Sequence, residues 1–158
     1  MTASMRPSTK LLGDAGEHYA LSQLNFAGKY AAKMPDNWEG YDLAVEDGGL
    51  KRVSVKTRSE TSGWKTSPWF FFNDRKQCEW LIFVFKPKVG DLQAWVIPFV
   101  VALAHASKPG PTRKEPWQRD VSMAKLRRAP LAAYKENWAL DLSPVHADVG
   151  ATPGQAVT

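Results

Sequence analysis

The segment Trp80–Phe85 is apolar at every position, and this feature restricts the fold more than any other in the chain. A strand with one exposed face alternates apolar and polar side chains, whereas a strand without alternation is covered on both faces. The segment is also far shorter than the roughly 20 residues of a membrane-spanning helix. It therefore predicts a central strand between two layers. The expected fold class is α/β, with a mixed central sheet of about five strands flanked by helices.

Size and composition predict one domain. The chain has 158 residues, of which 44% are hydrophobic and 23% are charged, as is typical of a globular domain with a single core. Met1–Leu12 and Ser143–Thr158 lack periodicity and are expected to be flexible tails around a domain that spans residues 13–142. No apolar run follows the basic residues near the N-terminus, so we expect a cytoplasmic protein.

Cysteine and histidine chemistry has little support in the sequence. Cys78 is the only cysteine, which excludes an internal disulfide framework and a cysteine-clustered zinc site. His18, His105 and His146 are far apart and do not have a metal-ligand spacing. Because no basic histidine is near Cys78 in the sequence, we interpret this cysteine as a small packed residue and not as a nucleophile.

Basic residues are concentrated in two segments. Residues 51–76 and 108–128 each contain seven basic and two acidic residues, and the chain has a formal net charge of +5. This clustering suits a polyanion such as nucleic acid, although a solvated basic surface has the same pattern. Trp64, Trp69 and Trp117 lie in these segments and either stack on bases or pack within the protein. The cations predicted to contact nucleic acid are Arg52, Arg58, Lys65, Arg75, Lys76, Arg113 and Lys114.

The first predicted element is a helix. Asp14 is its expected N-cap, with Glu17 as the capping-box partner three residues later, and Gly28 is expected to end it. An apolar stripe runs along Ala20–Ala27, and Glu17 lies on the same side of the helix. Glu17 therefore either points toward the core side as a functional carboxylate or only completes the capping box and favours the helix dipole.

A β-hairpin follows. Tyr41–Val45 and Leu50–Thr57 alternate apolar and polar residues and are separated by an Asp-Gly-Gly loop. A three-residue loop sets Asp42 opposite Ser54, with Lys56 one step along the same face. A two-residue loop would mix polar and apolar side chains on both faces. The pattern therefore favours the three-residue loop.

Local patterns predict the remaining elements. They are an edge strand at Lys29–Met34, an apolar run at Trp69–Phe72, a turn or short helix from Asn73 through Cys78, a strand at Gln93–Ile97, a helix at Phe99–Ala106 that Pro98 starts, a basic loop at Lys108–Glu115 and a closing helix at Leu131–Leu140.

Glu17, Asp42 and Lys56 form an unusual set for a purely structural sheet, because unpaired buried charges are strongly destabilising. Two carboxylates bind Mg²⁺ or Mn²⁺ through oxygen and leave room for water and a substrate phosphate. Such an ion lowers the pKa of a bound water and stabilises transition-state charge, while a lysine orients the water or neutralises the phosphate. The set is typical of metal-assisted phosphate chemistry.

These residues resemble the pattern of the PD-(D/E)XK nuclease superfamily: a helix bearing Glu, a strand with Asp, and a hairpin to a strand that ends in (D/E/Q)-x-K. The matching stretches are Gly16-Glu17, Gly40-Tyr41-Asp42-Leu43 and Ser54-Val55-Lys56-Thr57. The resemblance spans residues 13–142 and implies a restriction-endonuclease-like fold. It implies that Asp42 and Glu17 are metal ligands, that the backbone carbonyl of Val55 is a further ligand, and that Lys56 is the catalytic lysine.

Two features depart from that pattern. Ser54 stands where Glu, Asp or Gln is normal, and a neutral hydroxyl is a poor ligand for a hard cation. We expect Ser54 to hold a substrate phosphate or a metal-bound water, with Glu46 or Glu60 as alternative sources of a carboxylate. The dipeptide Pro35-Asp36 matches the superfamily name but precedes a turn, so we interpret it as a chance match.

The resemblance implies a metal-dependent deoxyribonuclease that uses Mg²⁺ or Mn²⁺ and acts on DNA. It also implies a possible homodimer, in which two active sites would cut two strands. The alternative is a catalytically degenerate nuclease fold that acts as a DNA-binding or protein-interaction module, and Ser54 favours this interpretation. A third hypothesis is a scaffold whose charges only keep it in solution.

Overall fold

The computed structural model describes residues 8–60, 69–110 and 115–145. In chain order the elements are α1 (Thr9–Phe26), β1 (Tyr30–Lys33), β2 (Leu43–Glu46), β3 (Leu50–Ser59), β4 (Trp69–Asn73), β5 (Trp80–Lys86), β6 (Gln93–Pro98), α2 (Phe99–His105), β7 (Gln118–Ser122), α3 (Met123–Leu126) and a 3₁₀ turn (Leu131–Tyr134). None of the helices in these ranges is long and apolar enough to cross a membrane.

The central sheet has the strand order β1-β2-β3-β5-β6. β3 and β5 are parallel, and the other neighbouring strands are antiparallel. β5 lies inside the sheet, and every residue from Trp80 to Phe85 is buried. The prediction of a central strand in a mixed, five-stranded α/β sheet is therefore confirmed.

Two layers cover this sheet. Helix α1 covers one face, where Ala20 and Leu24 share a core with Val53 and Val55 of β3. The opposite face is covered by a second sheet, in which β4 pairs with β7, and by the short helices α2 and α3. Because successive side chains of a strand point to opposite faces, Ser54 and Lys56 lie on the face opposite α1.

The hairpin has the predicted register. Leu43 pairs with Val53 and Glu46 with Leu50, so the loop has three residues. Gly49 has a φ of +122°, which an L side chain rarely adopts, and its N–H donates to Glu46 Oε1 at 2.9 Å. The glycine-containing loop and the alternation of the strands therefore act together to fix which residues face each other.

The predicted start of α1 is wrong. The helix begins at Thr9, and the Ser8 side chain caps it by accepting a hydrogen bond from the N–H of Leu11 at 3.2 Å. Residues 9–12 are therefore helical, although they were expected in a tail. Asp14 lies in the helix interior and forms an ion pair with Lys10 at 2.8 Å. Glu17 lies beyond the first turn, so it is free of the capping-box role.

The prediction of a closing helix at Leu131–Leu140 is also wrong. Only the 3₁₀ turn forms there, and the chain then reverses through positive φ angles at Glu136 (54°) and Leu140 (57°). The Glu136 carboxylate accepts hydrogen bonds from the Ala94 N–H at 3.0 Å and from Trp138 Nε1 at 2.7 Å. These tertiary contacts hold the segment against β6 in place of helical hydrogen bonds.

The second sheet was not expected. β7 has no sequence signal comparable to that of β5, and it forms because β4 offers it an antiparallel partner. Of the turn or short helix predicted from Asn73, the turn forms: Asn73 Oδ1 accepts a hydrogen bond from the N–H of Arg75 at 2.8 Å. This turn brings Lys76 to the main sheet.

Candidate active site

Gly16 allows α1 to approach β3 closely. It is buried, and a Cβ at this position would lie 2.8 Å from Thr57 Cβ and closer still to Thr57 Oγ1. Since Ala would already collide there, the helix can reach this depth only with glycine at position 16. Glu17 is the next residue. The close contact between Gly16 and Thr57 therefore determines how near the Glu17 carboxylate lies to the sheet.

Asp42 lies at the point where β2 separates from β3. The last pair of their ladder is Leu43 with Val53. Beyond it, Asp42 Oδ2 accepts a hydrogen bond from the N–H of Val55 at 2.7 Å and from Ser54 Oγ at 3.3 Å. The carboxylate thus satisfies a backbone donor at the end of the ladder, and this bond fixes its orientation. Asp42 lies beside Ser54, as the predicted register requires.

Glu17 and Asp42 line one pocket of about 160 Å³, which we call the acidic pocket. Its charged lining consists of the carboxylates of Asp14, Glu17, Asp36 and Asp42 and the ammonium groups of Lys10 and Lys33. Negative groups therefore exceed positive ones by two. Asp36, part of the Pro35-Asp36 dipeptide that we interpreted as a chance match to the superfamily name, belongs to this lining.

Burial and the charge of Asp42 raise the pKa of Glu17, and Lys33 opposes the shift. Lys33 Nζ lies 3.3 Å from Glu17 Oε2 and 3.0 Å from Asp36 Oδ1. The Lys33 ammonium, followed by that of Lys10, lowers the pKa of Asp36. The carboxylates of Glu17 and Asp42 thus repel each other, and a cation between them would lower that repulsion.

Lys56 occupies the other side of Asp42. It is half-buried on β3 and does not line the acidic pocket. Burial lowers its pKa, the charge of Lys76 lowers it further, and Asp42 acts in the opposite direction. The structure therefore brings Glu17 and Asp42 together in the acidic pocket and places Lys56 near Asp42 but outside the lining of that pocket.

Lys76 lies beside Ser54 and Lys56, and the sequence patterns did not predict this. Its Nζ donates a hydrogen bond to Ser54 Oγ at 3.0 Å, and Ser54 is fully buried. We call Ser54, Lys56 and Lys76 the lysine cluster. Lys76 follows a turn that no periodic pattern marks, so only its membership of a basic segment distinguished it in the sequence.

Comparison with known proteins gives a structural likeness without a sequence match. Neither a protein-family model nor a curated protein sequence matches the chain. The structure is similar to that of the bacterial homing endonuclease I-Ssp6803I, with a TM-score of 0.52 and 20% identity over 85% of this chain and 91% of that chain. This chain has the restriction-endonuclease-like fold.

A weaker likeness, with a TM-score of 0.46 and 12% identity, connects this restriction-endonuclease-like domain to Hjc, a Holliday junction resolvase of the archaeal hyperthermophile Archaeoglobus fulgidus. That match covers 72% of this chain and 85% of the other.

The cations predicted to contact nucleic acid have different environments. Arg52 forms an ion pair with Glu79, with a distance of 2.8 Å between guanidinium and carboxylate. The Arg75 guanidinium lies 5.0 Å from the ring centre of Trp117. Arg58 is half-buried on β3. Trp64, Lys65, Arg113 and Lys114 lie outside the described residues.

The donor set of the acidic pocket fits a hard divalent cation. Carboxylate oxygens are the ligands that Mg²⁺ prefers, and it commonly takes one or two of them and completes its shell with water and phosphate. Within residues 8–60, 69–110 and 115–145, no group of three or more His, Cys, Asp or Glu residues has a metal-binding arrangement. The neutral Ser54 lies where a third carboxylate would be expected, and Glu60 binds the N–H of Lys88 elsewhere.

Cys78 has no features of a nucleophile. Its thiol is buried, and this burial raises the pKa to about 11 even though Lys76 acts to lower it. A thiol with so high a pKa is almost entirely protonated at neutral pH.

Proposed function

We propose that this protein is a metal-dependent deoxyribonuclease that hydrolyses DNA phosphodiester bonds with Mg²⁺ or Mn²⁺. One observation carries the proposal: the carboxylates of Glu17 and Asp42, which are distant in sequence, line one pocket, where burial and the charge of Asp42 raise the pKa of Glu17. Lys33 pairs with Glu17, but the pocket keeps an excess of carboxylates. A carboxyl group in a cleft whose pKa is raised by burial and a neighbouring charge is typical of functional sites. The likeness to a homing endonuclease supports a fold on which such chemistry occurs.

Glu17 and Asp42 would hold the ion, and the backbone carbonyl of Val55 is the predicted third ligand. When bound, the ion supplies positive charge for the transition state and lowers the pKa of a coordinated water. Asp42 is suited to this task because the N–H of Val55 and the hydroxyl of Ser54 already fix its carboxylate. Fixed ligands require little reorganisation during the reaction.

Lys56 would move the proton of the attacking water. Its lowered pKa increases the fraction of neutral amine, which accepts a proton as water adds to phosphorus. The bond from phosphorus to the leaving oxygen then breaks, and the leaving oxygen takes a proton from solvent. The DNA backbone would lie along the predicted basic segments, which predicts steeply weaker binding at higher salt. A homodimer and a cytoplasmic location remain predictions.

A second function is favoured by a specific contact. The ammonium of Lys76 binds Ser54 at 3.0 Å, where the family pattern has an acidic or amide side chain. A positive charge beside that position disfavours a second cation there. This observation supports the alternative in which the fold acts as a DNA-binding or protein-interaction module without cleavage.

The two functions are separated by incubating the full-length protein with supercoiled plasmid in Mg²⁺ or Mn²⁺ and, in parallel, in EDTA. We expect nicking that needs the metal and falls on the order of a thousandfold in Asp42→Asn and Glu17→Gln, because several kcal/mol of transition-state stabilisation are lost. Asp91→Asn is the control, since Asp91 is exposed and outside the acidic pocket. Salt-sensitive DNA binding without nicking by the unaltered protein would select the binding module.

A further inference from the structure

The lysine cluster has an excess of positive charge in a half-buried position. The charge of Lys76 acts on Lys56, and both side chains are half-buried. Asp42 is the acidic group that acts on Lys56 from this side, and its Oδ2 also accepts the Val55 N–H and the Ser54 hydroxyl. Two neighbouring ammonium groups repel each other, and an anion bound between them lowers that repulsion.

Ser54 gives this cluster a fixed polar centre. Its hydroxyl donates to Asp42 Oδ2 at 3.3 Å and accepts from Lys76 Nζ at 3.0 Å. A fully buried serine held on both sides has a defined orientation, and it holds the Lys76 ammonium next to Asp42. Lys76 is thus positioned by a buried contact, unlike a lysine that extends into solvent.

We propose that Lys76, held in place by the buried Ser54, forms a binding subsite for the phosphodiester group of DNA, with the Lys76 ammonium contacting a non-bridging oxygen. The inference rests on the proposed function and adds a residue to it. On one side of Asp42, the acidic pocket has an excess of carboxylates and suits a cation. On the other side, the lysine cluster has an excess of ammonium groups and suits the phosphate anion. Lys76 would thus bind an anion, with Ser54 as its positioning residue, beside a position where the family pattern has a metal-binding side chain.

The test uses dimethyl phosphate, a phosphodiester monoanion, added to the full-length protein in EDTA at constant ionic strength. We expect saturable changes in the amide NMR signals of Ser54, Val55 and Lys76. In Lys76→Met the affinity falls about tenfold or more, because a hydrogen bond to a charged group is lost. Lys76→Arg retains most of it, and Ser54→Ala loses less than Lys76→Met.

Lys88→Met is the matched control, because it removes one positive charge from an exposed lysine outside the lysine cluster. We expect the same affinity as in the unaltered protein. If Lys76→Met and Lys88→Met bind equally well, or if the signals that move lie elsewhere, the subsite is refuted. Lys76→Gln serves as a second neutral variant, and circular dichroism verifies that each variant folds.

The outcome is independent of cleavage, since EDTA removes any divalent ion. Specific binding at Lys76 in a protein that never nicks plasmid supports the subsite, refutes the nuclease and assigns the subsite to a DNA-binding module. Nicking that is unchanged in Lys76→Met, together with no dimethyl phosphate binding, refutes the subsite and leaves the nuclease standing. If both proposals hold, Lys76→Met lowers kcat/KM for plasmid about tenfold or more, and Lys76→Arg restores most of it.

Discussion

The acidic pocket and the lysine cluster lie on opposite sides of Asp42, and they differ in the sign of their charge. The acidic pocket contains four carboxylates and two ammonium groups. The lysine cluster combines two ammonium groups with a buried serine. One carboxylate between them contacts both regions. A single aspartate at a strand end therefore lies between a region with excess negative charge and a region with excess positive charge.

Among the changes on the lysine side of Asp42, Lys56→Met has the largest expected effect on catalysis. Removing a group that transfers a proton lowers the cleavage rate by a factor on the order of 100 or more. Mn²⁺ binding, followed by electron paramagnetic resonance, should change little because Lys56 is outside the acidic pocket. Lys88→Met is the control. A Lys56→Met variant that cleaves normally would show that Lys56 has no part in the chemistry.

Gly16→Ala tests whether the close approach of α1 determines the acidic pocket. We expect a loss of about 2 kcal/mol in the free energy of unfolding, because the new methyl group collides with Thr57. Gly13→Ala is the matched control in the same helix, where nothing lies within 4 Å of an added Cβ. It should increase stability by about 1 kcal/mol through helix propensity. Urea denaturation measures both.

Thr57→Ala should partly rescue Gly16→Ala, since it removes the atom nearest to the added methyl group. By itself the change should cost little, because Thr57 Oγ1 is buried without a hydrogen-bond partner in the described structure. Equal stability of Gly16→Ala and Gly13→Ala would contradict this account of how Glu17 is held.

Lys33→Met tests the charge of the acidic pocket. The Lys33 ammonium neutralises part of the charge on Glu17, so it competes with a bound cation. Its removal should increase Mn²⁺ affinity by up to about fivefold, as expected for one ion pair. Lys29→Met is the control, because Lys29 pairs with Asp47 at the hairpin, 2.8 Å away. Unchanged affinity in Lys33→Met would place the cation elsewhere.

The smallest effect concerns Cys78, beside the lysine cluster. Burial raises the thiol pKa to about 11 against the opposing charge of Lys76. We therefore expect slow alkylation by iodoacetamide at pH 8 in the folded protein and ordinary rates in guanidinium, since only the thiolate reacts. Mass spectrometry measures the modified fraction.

The sign of the accompanying pH effect follows from the direction of the shift. Above about pH 9 the unfolded thiol ionises while the folded thiol stays protonated, so stability falls as the pH rises toward 11. Cys78→Ala should remove this part of the decline. Rapid alkylation of the folded protein would mean that the lysine cluster outweighs burial.

Local patterns predicted the parts of the fold that depend on neighbours in sequence. The hairpin register followed from a three-residue loop and the alternation of two strands, and this placed Asp42 beside Ser54. The central strand followed from an apolar run. Where several alternatives satisfied the same local rule, prediction failed. Asp14 was the predicted N-cap of α1, and the structure uses Ser8, whose residue type is also a common cap.

The sequence by itself determined the α/β class, the central strand and the pairing of the hairpin, because strand periodicity and glycine turns are properties of adjacent residues. The tertiary structure alone decided that β7 pairs with β4, that Glu136 holds the closing segment against β6, and that Lys76 reaches Ser54. Each of these depends on a contact between distant parts of the chain. Such contacts form only after the core has packed, since closing a long loop costs entropy that local propensity does not encode.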